Sequence, residues 1–187
     1  MGAPDPVILG ADPSLRGFGI AWVQGDHLLQ TERWSHDPRP CRLGCFRAWW
    51  QAQLQRHSVP FVVLEGYSYG SLQGREQLGE LGGLVRLGCW EAQLPFLIIP
   101  PTSLKAVIAG KGNAPKEAMR RALHARFPTI PLPPSSDERD AWALAWVGAQ
   151  WHSAPDTLPA PLRTRLTDQW TAWTPAAWAH AKEAPHD

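Results

Sequence analysis

Cysteine is scarce in this chain: three are present among 187 residues, at Cys41, Cys45 and Cys89. An odd count in a chain of this size excludes a disulfide framework and points to reduced thiols, as in a cytoplasmic protein. Cys41 and Cys45 are four apart, as zinc ligands can be. Only Cys89 is left to join them and no histidine pair has finger spacing, so a structural zinc site is not expected. Long hydrophobic runs are missing as well. None approaches the roughly 18 to 20 residues of a membrane span, and no membrane partner is expected. The opening Met-Gly-Ala-Pro-Asp-Pro has no basic stretch leading into an apolar one, so no signal peptide is visible. An excess of one charge is lacking too. Lys and Arg number 18 against 17 Asp and Glu, a net charge of +1, which argues against bulk positive charge holding the chain to DNA.

What is there suits one domain, or one domain with a tail. The chain is 44% hydrophobic and 19% charged, enough apolar material to bury a core without metal or disulfide staples. Val7 to Gly10 reads as a buried strand that Asp12-Pro13-Ser14 stops, and Gly17 to Val23 as its returning partner. Gly25-Asp26 marks a turn into a weaker strand from His27 to Trp34. The period then becomes helical over Cys41 to His57. Phe61 to Leu64 is a buried strand ending on Glu65, Arg75 to Leu94 is a glycine-bearing helix, and Phe96 to Ile99 is another buried strand. Helices follow near Ser103 to Ala109, Pro115 to Phe127 and Asp137 to Trp151, the last capped by Ser135 or Ser136. Beyond residue 152 the chain is rich in proline, alanine and tryptophan, with a short helix near Leu162 to Trp173. The division is a body of residues 1–152 and an extension of 153–187. A meander followed by strand–helix alternation predicts an α/β fold with a mixed sheet covered by helices.

Four carboxylates sit at places where such folds build sites. Asp12 and Glu65 end buried strands, and Asp137 and Asp140, three apart, share a face at a helix start. Singly, each has an ordinary reading: a turn former at Asp12, a solvated strand end at Glu65, a helix-dipole partner at Asp137. Jointly, acids from three segments meeting at one sheet would need cations, and hard divalent ions prefer oxygen ligands. Two such ions can activate a water and stabilise the leaving oxygen of a phosphodiester. The even charge balance also hides a local excess. Residues 101–134 hold Lys105, Lys111, Lys116, Arg120, Arg121 and Arg126 against Glu117 alone, or +5. That is a candidate phosphate-contacting surface, with a solvated helix face as the other reading.

Read in order, four blocks make a pattern. The first is Ile8-Leu9-Gly10-Ala11-Asp12-Pro13-Ser14-Leu15-Arg16-Gly17-Phe18-Gly19, and the second is Val62-Val63-Leu64-Glu65. The third is Gln77-Leu78-Gly79-Glu80-Leu81-Gly82-Gly83. The fourth runs from Pro101-Thr102-Ser103-Leu104-Lys105 through Gly110-Lys111-Gly112-Asn113-Ala114-Pro115-Lys116 to Asp137-Glu138-Arg139-Asp140-Ala141. Over roughly residues 7 to 152 this resembles the RuvC-type Holliday junction resolvases, crossover junction endodeoxyribonucleases of the RNase H-like superfamily. The resemblance implies a five-stranded mixed sheet, an antiparallel meander plus parallel strands, flanked by helices. It implies a homodimer that nicks four-way junctions in symmetric pairs during DNA recombination and repair, with a branch-migration helicase as partner. It implies that Asp12, Glu65, Asp137 and Asp140 hold two Mg²⁺ or Mn²⁺ ions, and that Lys105 and Lys116 stand at the family's functional lysine positions.

The helix Arg75 to Leu94 carries Gly79, Gly82, Gly83 and Gly88, which suit either close packing against a second copy or packing on the chain's own sheet. The family's wedge aromatic, three residues after the glutamate, is replaced by Ser68 here, with Tyr67 and Tyr69 beside it as candidates for base stacking. That departure leaves two other functions open: an RNase H-like nuclease for other branched DNA or for RNA–DNA hybrid, and a non-catalytic junction-binding module. Among the tryptophans, Trp22, Trp90, Trp142 and Trp146 are expected to face a core.

Overall fold

A computed structural model describes residues 4–14, 17–35, 41–66 and 75–173. The described residues form one sheet of five strands: β1 (Val7–Ser14), β2 (Gly17–Gln24), β3 (His27–Ser35), β4 (Val62–Glu65) and β5 (Phe96–Ile99), in the order β3-β2-β1-β4-β5. The first three make an antiparallel meander, and β4 and β5 add in parallel to β1. The helices are α1 (Arg42–Leu54), α2 (Arg75–Glu91), α3 (Pro101–Ala109), α4 (Lys116–Arg126), α5 (Ser136–Ser153) and α6 (Ala160–Ala172). This is the mixed, helix-covered RNase H-like sheet that the sequence predicts. None of the described helices is long and apolar enough to cross a membrane.

Strand alternation divides the core in two. Ile8, Ala21, Val23, Phe61, Val63, Leu97 and Ile99 point to one face, where α5 packs its Ala141 to Ala149 stretch with α3, α4 and α6 around it. Leu9, Ala11, Phe18, Ile20, Trp22, Val62 and Phe96 point to the other, against α1 and α2. Such two-sided burial is why β1, β2 and β4 read as continuous apolar runs rather than alternating ones. Helix α5 lies unusually close to the sheet. A β-carbon on Gly10 would fall 2.1 Å from the Ala141 carbonyl oxygen and 2.5 Å from the Ala145 nitrogen, so no other residue fits there without moving the helix.

Two expectations need correction. Asp12-Pro13-Ser14 does not stop β1: Asp12 pairs with Gly19, Pro13 with Phe18 and Ser14 with Gly17, and the Ser14 hydroxyl donates to the Gly17 carbonyl at 2.8 Å. Proline is tolerated because the β4 ladder has already ended at Ala11↔Leu64, leaving β1 an edge on that side. Trp90 is not a core residue; it is 46% exposed on the outer face of α2. Trp22 and Trp142 are fully buried, and Trp146 is buried with its indole N–H donating to Asp26 at 2.8 Å.

The C-terminal helix packs on the body. Leu162 and Leu166 of α6 enter the α5-side core, and Trp170 stands 5.5 Å from both Phe61 and Trp151. The Gln169 side chain spans the outer edge of β5, accepting from the Ile98 N–H at 2.7 Å and donating to the Ile98 carbonyl at 3.0 Å. One amide thus occupies backbone groups that a further strand would otherwise pair with.

Candidate active site

The same alternation places the first two acids. Ile8 and Gly10 point toward α5, so Asp12, two residues further on, does as well. Phe61, just before β4, and Val63 on it point that way, and Glu65 follows them. The parallel register Ala11↔Leu64 puts Asp12 and Glu65 at the same level, one residue beyond it on each strand. Glu65 is the last residue of β4, and Asp12 is the first residue of β1 beyond its pairing with β4, so both lie toward the C-terminal edge of the parallel strands, where α/β folds assemble sites.

Helix α5 supplies the other two. Its start is set by Ser135, the N-cap: the Glu138 N–H donates to the Ser135 hydroxyl at 3.1 Å, and the Ser135 N–H donates to Glu138 at 3.3 Å. This capping box fixes the first turn and contributes about 1 kcal/mol. Gly19, directly opposite Asp12 in the β1–β2 pairing, leaves room for that turn. A β-carbon on it would lie 2.3 Å from the Asp137 carbonyl. Asp137 therefore sits over the Asp12 end of the sheet, with Asp140 one turn later on the same side of α5.

Burial and mutual repulsion act on these groups together. Burial pushes the Asp12 carboxyl well above the usual carboxylate range, and the charges of Glu65, Asp140 and Asp137 push it further. Burial raises Glu65 to about 7; a hydrogen bond from Asp12 and the cations Lys105 and Lys116 oppose that rise, while Asp140 adds to it. Asp140 is raised by burial and by Asp137, against the pull of Lys116. All four acids thus lie within one electrostatic neighbourhood, and Lys105 and Lys116 lie in it too. Lys105 is half-buried, one turn into α3, which begins directly after β5 with proline at its first position. Lys116 opens α4, and its Nζ is 3.4 Å from the Ser136 hydroxyl. Lys111 is exposed on the α3–α4 connection. Arg120 is exposed and bound to Glu117 on its own helix at 2.7 to 3.1 Å. Tyr67 and Tyr69 lie outside the described residues.

Sequence reading missed three participants. Arg33 and Thr31, on β3, reach the α5 start: Arg33 Nε donates to Asp137 Oδ2 at 3.2 Å, and Thr31 Oγ1 donates to Glu138 Oε1 at 2.9 Å. Glu138 serves both that bond and the capping box. The i, i+2 spacing of Thr31 and Arg33 marks a shared strand face, but the sequence does not say which element that face meets.

The donor set suits hard divalent cations: carboxylate oxygens only, partly desolvated and mutually repelling, a state that a bound cation would relieve. Among the described residues, no three His, Cys, Asp or Glu side chains already stand in a metal-holding arrangement. The buried Cys89 thiol is pushed up to about 12 by burial and stays a thiol. The acid cluster makes a metal-free prediction. A carboxyl raised in the folded state binds protons that the unfolded chain does not, so the contribution of Glu65 to stability is fully present below about 4.5 and is lost as pH rises through about 7. At about 1.4 kcal/mol per pK unit, the rise of Glu65 from 4.5 to about 7 corresponds to about 3 kcal/mol. In chelator, Glu65→Gln is expected to melt several degrees above the parent at pH 8 and near it at pH 5, by calorimetry. Equal melting at pH 8 would show that Glu65 carries no such strain.

Comparison with known proteins agrees with the geometry. No family model matches the chain. The crossover junction endodeoxyribonuclease RuvC of Halorhodospira halophila is 31% identical over 157 residues, covering 80% of this chain and 93% of that one. Its counterpart from Desulfitobacterium hafniense is 26% identical over 147 residues, covering 74% and 89%. Among solved structures, Thermus thermophilus RuvC in complex with a Holliday junction substrate superposes with a TM-score of 0.70 at 26% identity, covering 82% of this chain and 98% of that one. With a sheet, a set of strand-end acids and relatives that agree over most of their length, the chain belongs to the RuvC family of crossover junction endodeoxyribonucleases.

Proposed function

We propose that this chain is a divalent-metal-dependent endonuclease that resolves four-way DNA junctions by paired symmetric nicks. The observation that carries the reading is the electrostatic convergence of Asp12, Glu65, Asp137 and Asp140 within the field of Lys105 and Lys116. The four acids are the groups that would hold the ions, two Mg²⁺ or Mn²⁺ per site. Bound there, the ions supply water activation and stabilisation of the leaving oxygen. The chain's own part is positional. Strands β1 and β4 hold Asp12 and Glu65 rigidly at one level, and α5 brings its two acids over the Gly19 opening. Lys105 and Lys116 offset the charge of an incoming phosphate, each as a point charge without base preference. Lys111, Arg120, Tyr67 and Tyr69 are the further groups we assign to DNA.

A four-way junction has two-fold symmetry, so paired incision calls for two copies related by a two-fold axis. The outer face of α2 suits that contact. Gly79 and Gly83 face open space on it, and Leu87 and Trp90 are 42% and 46% exposed, whereas Gly88 is used internally, against Trp50. The family resemblance adds a branch-migration helicase as partner and a cytoplasmic setting. Residues 1–152 form the nuclease body in this reading, and 153–187 an extension whose helix α6 braces β5.

Synthetic four-way junction, flap, linear duplex and RNA–DNA hybrid, each incubated with Mn²⁺, test the proposal. Symmetric paired nicks confined to the junction are the expected result. Equal cutting of flaps would favour a general branched-DNA nuclease, and cutting of the hybrid an RNase H activity.

A further inference from the structure

Arg33 lies opposite Gly19 in the β2–β3 pairing, and its guanidinium occupies the space a side chain on Gly17 would need. A β-carbon at Gly17 would fall 2.5 Å from both Nε and Nη2. From that slot Nε donates to Asp137 Oδ2 at 3.2 Å. Two residues earlier on the same strand face, Thr31 binds Glu138 at 2.9 Å. The first turn of α5 is therefore moored to β3 twice, once by a neutral hydrogen bond and once by a cation.

The two moorings are not equivalent. The Thr31 bond, with the Ser135 capping box, already ties the helix start to the sheet and adds no charge. The Arg33 bond sets a positive charge against one of four acids that would hold divalent cations, where it opposes their binding. In exchange, one Asp137 oxygen is engaged, which restricts how the carboxylate can turn, and a fixed ligand orientation matters more to rate than to affinity.

We infer that Arg33 is a positioning residue for the nuclease site: it holds Asp137 through Oδ2 and leaves Oδ1, which accepts a long 3.4 Å hydrogen bond from the Ser136 hydroxyl, as the oxygen for the divalent ion, lowering metal affinity while fixing ligand geometry. This rests on the metal-site reading above. Mn²⁺ binding by titration calorimetry, alongside junction cleavage at saturating Mn²⁺, tests both separately. Arg33→Gln is expected to bind Mn²⁺ roughly tenfold more tightly, or about 1.4 kcal/mol, yet cleave at least about tenfold more slowly. Arg33→Lys keeps the charge but loses the planar fork, so near-parental affinity with slow cleavage is expected. Thr31→Val, the structural control, should lower the melting temperature and leave Mn²⁺ affinity unchanged. Should Arg33→Gln not fold, Gly17→Ala, which displaces the guanidinium from its slot, is expected to tighten Mn²⁺ binding in the same direction. Unchanged or weaker Mn²⁺ binding in folded Arg33→Gln or Gly17→Ala overturns the inference. Absence of Mn²⁺ binding in the parent, or undiminished binding in Asp137→Asn, overturns the site reading instead.

Discussion

Asp12→Asn is expected to reduce junction cleavage by about 10³-fold or more while leaving junction binding intact. The side chain keeps its size, and its neighbours on β1 and β2 keep their pairing, so the loss is one of charge. Several kcal/mol of transition-state stabilisation is the usual contribution of a correctly held divalent ion, and about 4 kcal/mol corresponds to 10³ in rate. Asp12 is the central acid: its carboxyl is raised by burial and then by Glu65, Asp140 and Asp137 in turn. For the same reason the substitution should raise the melting temperature of the metal-free protein, since a buried, repelled charge is removed. The two readouts together are diagnostic. A structural acid would lose stability on neutralisation, whereas a metal ligand held in a strained cluster gains it. Cleavage of a labelled junction, a gel-shift titration without metal and a thermal melt in chelator suffice. Unchanged Mn²⁺-dependent cleavage in both Asp12→Asn and Glu65→Gln would place the site elsewhere.

Gly19→Ala should cost about 100-fold in cleavage without touching any acid. Its β-carbon would lie 2.3 Å from both the Asp137 carbonyl carbon and its oxygen and 2.7 Å from the Glu138 nitrogen, all of them backbone that cannot rotate away. The first turn of α5 must therefore move outward, taking Asp137 with it. A displacement of about 1 Å in a catalytic constellation is enough for a loss of this size. Overpacking of this kind also destabilises by about 1 to 3 kcal/mol. The corresponding test is the ratio of effects: cleavage at temperatures well below the melt should fall far more than the folded fraction does. A variant that cleaves normally once folded would show that the α5 start tolerates a shift and that Gly19 serves packing alone.

Several parts of this protein could be read from the chain itself, because they depend on local pattern. Two-sided burial of β1, β2 and β4 leaves apolar runs too dense to be surface strands, and the period change after Ser35 marks the move to helices. Asp12 and Glu65 were recognisable because each ends such a run, and Asp137 and Asp140 because their spacing is that of one helix face. Asp12-Pro13-Ser14 misled, since its composition is that of a turn while its pairing partners Gly17 to Gly19 hold it in the strand. Trp90 misled in the opposite direction: its apolar bulk suggested core, but its angular position on α2 turns it outward.

The sequence by itself determined which residues could carry the chemistry: four acids at element ends, a +5 segment beside them, and a helix-covered mixed sheet. It could not determine that Asp12, Glu65, Asp137 and Asp140 share one field, that Arg33 engages Asp137, or that Gln169 covers the edge of β5. Those pairings join residues of different elements 53 to 128 positions apart. They depend on how closely α5 approaches the sheet at Gly10 and Gly19 and on where α6 returns along β5. Local pattern decides which face of an element is apolar, but only packing decides what that face meets.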